Sequence, residues 1–214
     1  MHPFRLDGKT ILITGASSGI GRAIALQCSY QGANLIITGR NPTRLQQTYK
    51  ELSGVGHQMI TANLIDEDDI NSIIEQLPRL DGLVCNAGIV EPLLLQFIEK
   101  VDVDNTLNTN AISVIHLVRL LVQHKKFKKE SSIVLTSSIN GNKCSNIGSS
   151  IYAASKAMLT GFMKASALEL ASKGIRVNTI EPGMIETELF SNSVISIEEI
   201  GRASCRERVY ISVV

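Results

Sequence analysis

The chain has 214 residues, 44% of them hydrophobic, and a formal net charge of +1. That length supports one well-buried core and is short for two domains, while near-balanced charge gives no electrostatic case for nucleic acid or a membrane surface. No apolar run approaches the roughly 18 residues needed to span a bilayer, and Met1–Lys9 does not read as a signal peptide, so a soluble cytoplasmic protein is expected.

In chain order, Thr10–Thr14 reads as a short apolar strand, followed by a glycine-punctuated turn and an apolar-periodic helix from about Ile20 to Tyr30. The turn, Thr14-Gly-Ala-Ser-Ser-Gly-Ile-Gly21, has the spacing G-x-x-x-G-x-G. Gly15, Gly19 and Gly21 let the backbone turn tightly and approach a pyrophosphate at the N-terminal end of the helix, with Ser17, Ser18 and Ile20 in the same cradle. A glycine-rich turn alone could be no more than a tight turn. Its place after the first strand and before a helix is what makes it a phosphate cradle.

Asn34–Thr38 is the second strand, and Pro42 opens a helix near its first turn. An acid at the end of such a strand would read the ribose 2′-hydroxyl of NAD. Thr38-Gly-Arg-Asn41 offers no acid and one guanidinium, Arg40, whose planar fork suits a 2′-phosphate. That favours NADP(H) over NAD(H); the alternative is an Arg40 that simply faces solvent.

A third strand fits His57–Ala62, and the acids Asp66–Asp69 suit a helix start. Gly82–Cys85 is the fourth strand, and a long helix covers roughly Asp104–His124. The basic run Lys125–Lys129 reads as a solvated helix end. Ser132–Thr136 is the fifth strand, a helix carrying Tyr152 runs to about Ser172, and Ile175–Ile180 is the sixth strand. Strands that are apolar throughout, separated by helices, imply a parallel sheet covered on both faces. The expected fold is a single doubly wound, Rossmann-like α/β domain of six strands over residues 1–199.

Tyr152 and Lys156 stand four residues apart on a helical pattern, so their side chains rise from one face. A phenol is a poor acid at neutral pH, and a nearby ammonium favours the phenolate, which suits proton exchange with a carbonyl. The pair alone is coincidence-prone and could be an amphipathic surface pair. The cysteines Cys28, Cys85, Cys144 and Cys205 form no Cys-x-x-Cys pair, and the four histidines show no metal-ligand spacing, so no metal site is expected.

With the glycine turn, Asn86-Ala-Gly88 after the fourth strand, and Tyr152-x-x-x-Lys156 in this order, the chain resembles the short-chain dehydrogenase/reductase family in its single-domain subclass, from Leu6 to about Phe190. The resemblance implies that Tyr152 is the catalytic acid/base. Lys156 would bind the nicotinamide ribose and lower the phenol's pKa. Ser138, with Ser137 as the neighbour to weigh against it, would hold the substrate oxygen, and Asn110 would support a water linking Lys156 to solvent. Asn86, Ala87 and Gly88 would flank the adenine ribose, Asn63 and Leu64 the adenine, and Pro182, Gly183, Ile185 and Thr187 the nicotinamide carboxamide. Two residues depart from the family's usual pattern: Asn63 stands where an aspartate is frequent, and Ser18 stands where several NADP users carry an arginine.

The resemblance implies hydride transfer between NADP(H) and a small-molecule or carrier-bound carbonyl or secondary alcohol, in a homodimer or homotetramer. A 3-oxoacyl-carrier-protein reductase is the nearest familiar activity, with a sugar or other small-alcohol dehydrogenase beside it. The competing readings are a non-catalytic dinucleotide-binding protein and an inactive truncated chain. Residues 200–214 show neither strand nor helix periodicity and back-translate to something resembling a common sequencing-library adapter. They are expected to lie outside the native domain, leaving the family's usual seventh strand missing and the sheet ending on a bare edge at strand six.

Overall fold

The computed structural model of the chain describes residues 4–185 and, as backbone, residues 210–212. Six parallel strands, β1 (Thr10–Thr14), β2 (Asn34–Gly39), β3 (Gln58–Thr61), β4 (Leu80–Cys85), β5 (Phe127–Thr136) and β6 (Arg176–Glu181), lie side by side in the order 3-2-1-4-5-6. Seven helices connect them: α1 (Gly19–Tyr30), α2 (Pro42–Lys50), α3 (Glu67–Gln76), α4 (Lys100–Leu107), α5 (Ser113–Gln123), α6 (Ile139–Asn142) and α7 (Ser150–Ala171).

The central strands are parallel because they have no polar face to give to water. β1 and β2 bury all but their first residues, which only a sheet covered on both sides can do. Alternation then sorts the side chains into two cores. Leu12, Leu83 and Ile133 pack with Ile73, Leu117 and Leu159 from α3, α5 and α7, while Ile13, Leu35 and Ile37 meet Ala25 and Leu45 from α1 and α2. Full burial of each such leucine or isoleucine contributes about 1.5–3 kcal/mol. The helices start where the sequence caps them. Asn41 accepts from the Arg44 amide at 3.0 Å ahead of Pro42, and Asp66 accepts from Asp68 and Asp69.

Strand order reverses between β1 and β4, since β2 and β3 lie to one side of β1 and β4–β6 to the other. The crevice beyond the carboxyl ends of the strands at this switch point is where such sheets bind ligands.

Three expectations need correction. The helix expected at 104–124 begins at Lys100 and is interrupted by a π turn, Asn108–Ile112, between α4 and α5. The basic run is not a helix end: α5 stops at Gln123, Lys125 takes a left-handed turn (φ 53°), and β5 has begun by Phe127. Phe127, 5% exposed and paired with Leu80, fixes that segment, while Lys126 Nζ donates to the Leu77 carbonyl and Lys128 Nζ to Asp81, both at 2.6 Å. The edge of β6 is not bare either. Tyr210–Ser212 forms a short strand, β7, antiparallel to β6, with Glu181 opposite Tyr210. An open strand edge offers unpaired N–H and C=O groups, and Tyr-Ile-Ser is a segment suited to extended pairing.

Candidate active site

A cleft of about 960 Å³ opens along the carboxyl ends of the strands, from Arg40 and Asn41 at one end to Tyr152 and Lys156 at the other. Its floor is the β1–α1 turn. Gly15 has φ +65°, and a Cβ there would lie 2.7 Å from Ala87 Cα; a Cβ on Gly21 would lie 2.1 Å from the Gly15 carbonyl oxygen. Both positions therefore need glycine for the turn to close against the Asn86–Gly88 segment. Ser18 caps α1 in an extended conformation without using its side chain, and the first turn holds no acid, so the positive end of the helix faces the cleft uncompensated. This shape and charge fit a dinucleotide pyrophosphate.

The turn after β4 is held to the turn after β1 by one hydroxyl and one side-chain amide. Thr14 Oγ1, fully buried, accepts from the backbone N–H groups of Asn86 (3.0 Å) and Ala87 (3.2 Å), and Asn86 Nδ2 donates to the Gly15 carbonyl at 3.4 Å. On the far side, Asp69 of α3 accepts from the Asn63 amide at 2.7 Å and so sets where Asn63 and Leu64 enter the cleft. Arg40 lies exposed at the β2 end of the cleft.

At the other end, α7 brings Tyr152 and Lys156 to the same wall as Ser138. Lys156 is 5% exposed, its Nζ donates to the Thr136 carbonyl at 2.8 Å and stands 5.8 Å from the centroid of the Tyr152 ring. Burial pulls the Lys156 ammonium down to about 8, with the nearby Cys85 thiol acting slightly the other way. The same burial pushes Cys85 up to about 12. Burial also raises the Tyr152 phenol above its ordinary value, and a hydrogen bond with Ser138 opposes that rise. Of these two influences on the phenol, desolvation is the larger. The two serines separate cleanly: Ser137 Oγ donates to the Lys156 carbonyl at 2.8 Å, leaving Ser138 as the partner of Tyr152.

Asn110 sits at the π turn, fully buried. Its Oδ1 accepts from the Ile89 amide at 2.7 Å, and its Nδ2 donates to the Ile89 carbonyl (2.9 Å) and to Ser155 Oγ (3.1 Å). Of the residues expected from sequence, Gly15, Ser17, Ser18, Gly19, Ile20, Arg40, Asn63, Leu64, Asn86, Ala87, Gly88, Ser138, Tyr152, Lys156, Pro182, Gly183 and Ile185 line the cleft. Gly21 and Asn110 lie just behind its wall, and Thr187 is outside the described residues. Sequence reasoning missed Thr14, Thr136 and Ser155. Thr136 acts through its carbonyl, which leaves no side-chain signal, whereas Thr14, a hydroxyl closing an apolar strand at the switch point, was there to be read. Among the described residues there is no group of three His, Cys, Asp or Glu placed to hold a metal.

A family model described as "short chain dehydrogenase" matches residues 9–196, and the chain belongs to that family. It is an NAD(P)-dependent oxidoreductase. Its relatives include proteins named 3-oxoacyl-(acyl-carrier-protein) reductase FabG from Thermotoga maritima, 38% identical over 191 residues, covering 86% of this chain and 77% of the relative, and from Escherichia coli, 36% identical over 189 residues with 86% and 76% covered. Among solved structures, a dehydrogenase/reductase from Sinorhizobium meliloti superposes with a TM-score of 0.81 at 31% identity, covering 92% of this chain and 80% of that one.

Proposed function

We propose that the chain transfers a hydride between NADP(H) and a carbonyl or secondary alcohol, with Tyr152 as acid/base. The observation that carries this reading is the meeting of Ser138, Tyr152 and Lys156 at the end of the cleft opposite the phosphate cradle. A bound nicotinamide dinucleotide supplies or accepts the hydride. Ser138 Oγ holds the substrate oxygen, and Tyr152 Oη gives that oxygen a proton in reduction and takes it back in oxidation. A phenol is protonated at neutral pH and burial raises this one further, so Tyr152 is charged with a proton before substrate arrives. As the proton leaves, the Ser138 hydrogen bond and the Lys156 ammonium favour the phenolate. Asn110 keeps the α7 turn carrying Ser155 and Lys156 against the Ile89 backbone.

For the cofactor, Gly15, Ser17, Ser18, Gly19, Ile20 and Gly21 cradle the pyrophosphate. Asn63, Leu64 and Asn86–Gly88 take the adenosine, and Pro182, Gly183, Ile185 and Thr187 the carboxamide. Arg40, with no acid at the end of β2, supports NADP(H) over NAD(H). The relatives' names support a carrier-bound 3-oxoacyl substrate, or a smaller carbonyl of the same kind. No helix among the described residues is long and apolar enough to cross a membrane, which supports a cytoplasmic enzyme. The catalytic domain spans residues 1–199, and residues 200–214 add nothing to the catalytic set.

A homodimer or homotetramer is supported by α7, whose outward face carries Ala154, Met158, Gly161, Ala165 and Leu168 at alternating spacings of four and three. Leu168 is 74% exposed and a Cβ on Gly161 would meet nothing, so a second helix could lie close.

Tyr152→Phe tests the central claim. It is expected to lower NADPH-dependent reduction of a carbonyl panel by about 10²–10⁴-fold with cofactor affinity unchanged by fluorescence titration. Near-normal turnover by this variant would remove Tyr152 from its role.

A further inference from the structure

We propose that Glu181 is a positioning residue that holds Ser138 in the reactive corner through the Asn142 amide. The inference rests on the proposed role of Ser138. Glu181 closes β6, one residue before Pro182-Gly183, and is 1% exposed. Placing a carboxyl in so dry a position is costly unless it is hydrogen-bonded. Its partner among the described residues is Asn142, whose Nδ2 donates to Glu181 Oε1 at 2.5 Å and to Thr160 Oγ1 at 2.8 Å. Glu181 Oε2 has no partner among the described residues.

Both amide protons of Asn142 are therefore spent on inward bonds, although the residue as a whole is exposed. Asn142 is the last residue of α6, and Ser138 is the cap on which α6 begins, its Oγ accepting from the Asn140 amide at 3.2 Å. A helix of four residues cannot hold its own shape. It is held from outside. Ser137 N donates to the Ile180 carbonyl (2.9 Å) and Ile139 N to the Pro182 carbonyl (3.2 Å), which fixes the start of the turn to β6. Gly141 lies so close to α7 that a Cβ would stand 2.8 Å from the Ala157 amide nitrogen. The Asn142–Glu181 bond fixes the end of the turn to the same strand.

Three successive residues of one strand end, Ile180, Glu181 and Pro182, thus grip the segment on either side of Ser138. Of the three grips, two use backbone atoms that any sequence supplies. The Glu181 grip depends on side chains and is the one this chain has written into its own residues. It joins the wall that presents Ser138 to the wall formed by Pro182 and Gly183. Small displacements of a group at a reacting centre cost large factors in rate.

Four proteins test this: wild type, Glu181→Ala, Glu181→Gln and Asn142→Ala, each as the full chain. Expected for Glu181→Ala is a fall in kcat of about 10-fold to 100-fold with the KM for NADPH unmoved. Gln keeps an acceptor oxygen for Asn142 and is expected to restore most of kcat, and Asn142→Ala should reproduce the Ala loss. Amide exchange at Gly141 and Lys143, the hydrogen-bonded N–H groups of α6 and its end, should quicken in Glu181→Ala and Asn142→Ala and not in Glu181→Gln. Wild-type kcat and exchange in Glu181→Ala, or an equal loss in Glu181→Gln, overturns the proposal. If wild type itself turns over no carbonyl, the functional reading has failed and amide exchange alone decides for or against the anchor. If Glu181→Ala does not fold, Asn142→Ala decides in its place by the same measurements.

Discussion

The two ends of the cleft are built by different means. The cradle end is specified by backbone shape: Gly15 and Gly21 make room, and Thr14 fastens two backbone N–H groups across the β1/β4 switch point. The reactive end is specified by buried side chains, with Lys156, Asn110 and Ser138 each below a tenth exposed and each spoken for by named partners. One end therefore fails by added volume, the other by altered chemistry. A cofactor of large charge and little shape variation can be held by backbone dipoles, whereas proton transfer needs groups whose charge states are tuned.

The contrast is broken most forcefully by Gly21→Ala. Its methyl carbon would fall 2.1 Å from a backbone oxygen that cannot swing away, so cofactor binding should be lost in calorimetric titration, with stability reduced by about 1–3 kcal/mol. Retained binding would show that the turn is looser than the cradle requires. Next in size, Lys156→Met should weaken cofactor binding by about ten-fold, near 1.4 kcal/mol, and reduce kcat by about a hundred-fold.

That variant also carries a signature in pH. The folded pKa of Lys156, about 8, lies below the ordinary 10.5. Between those values the unfolded chain holds a proton that the folded chain has released, so rising pH favours folding. Below about 8 both states are protonated and the folded state bears the full cost of burying the charge. The wild-type urea midpoint, taken relative to that of Lys156→Met, should thus climb from pH 8 towards 10.5. A flat difference would mean that the ammonium is better solvated than its burial implies.

A smaller effect sharpens the cradle side. Arg40→Ala should weaken NADPH by about ten-fold, near 1.4 kcal/mol, and leave NADH almost unmoved; no weakening of either would place Arg40 in solvent. Smallest is deletion of residues 200–214, which removes β7. Loss of one three-residue edge pairing is expected to cost about 1 kcal/mol, a drop of about 2–4 °C in Tm, without change in kcat. A larger fall would tie the tail to the core.

The same division decided what the sequence made legible. The cradle could be read because glycine spacing between a strand and a helix is a backbone statement made in residue identities. Its strands were readable because residues such as Leu12, Ile13, Leu35 and Ile37 are apolar without alternation. The start of β5 was hidden by Lys126, Lys128 and Lys129, whose charges disguised the one residue that mattered, Phe127. At the reactive end, Tyr152 and Lys156 were readable as a spaced pair, and a serine was readable only as one of two. Which serine faces the phenol depends on Ser137 turning to the Lys156 carbonyl, a contact between segments far apart in the chain. Glu181 gave no signal, because a glutamate at the end of a strand ordinarily lies in water.

The π turn at Asn108–Ile112 has a consequence for how this helix tolerates change in length. A π turn holds one residue more than the helix around it requires. Shortening the segment by that residue would let α4 and α5 run on as a regular helix, turning one part against the other by about 100°. Substitution at Thr109 or Ile112 would leave that phase intact; loss of either would swing Asn110 away from Ile89 and Ser155, or carry the apolar stripe of α5 off the sheet. At this place the count of residues, more than their kind, is what the protein has to conserve.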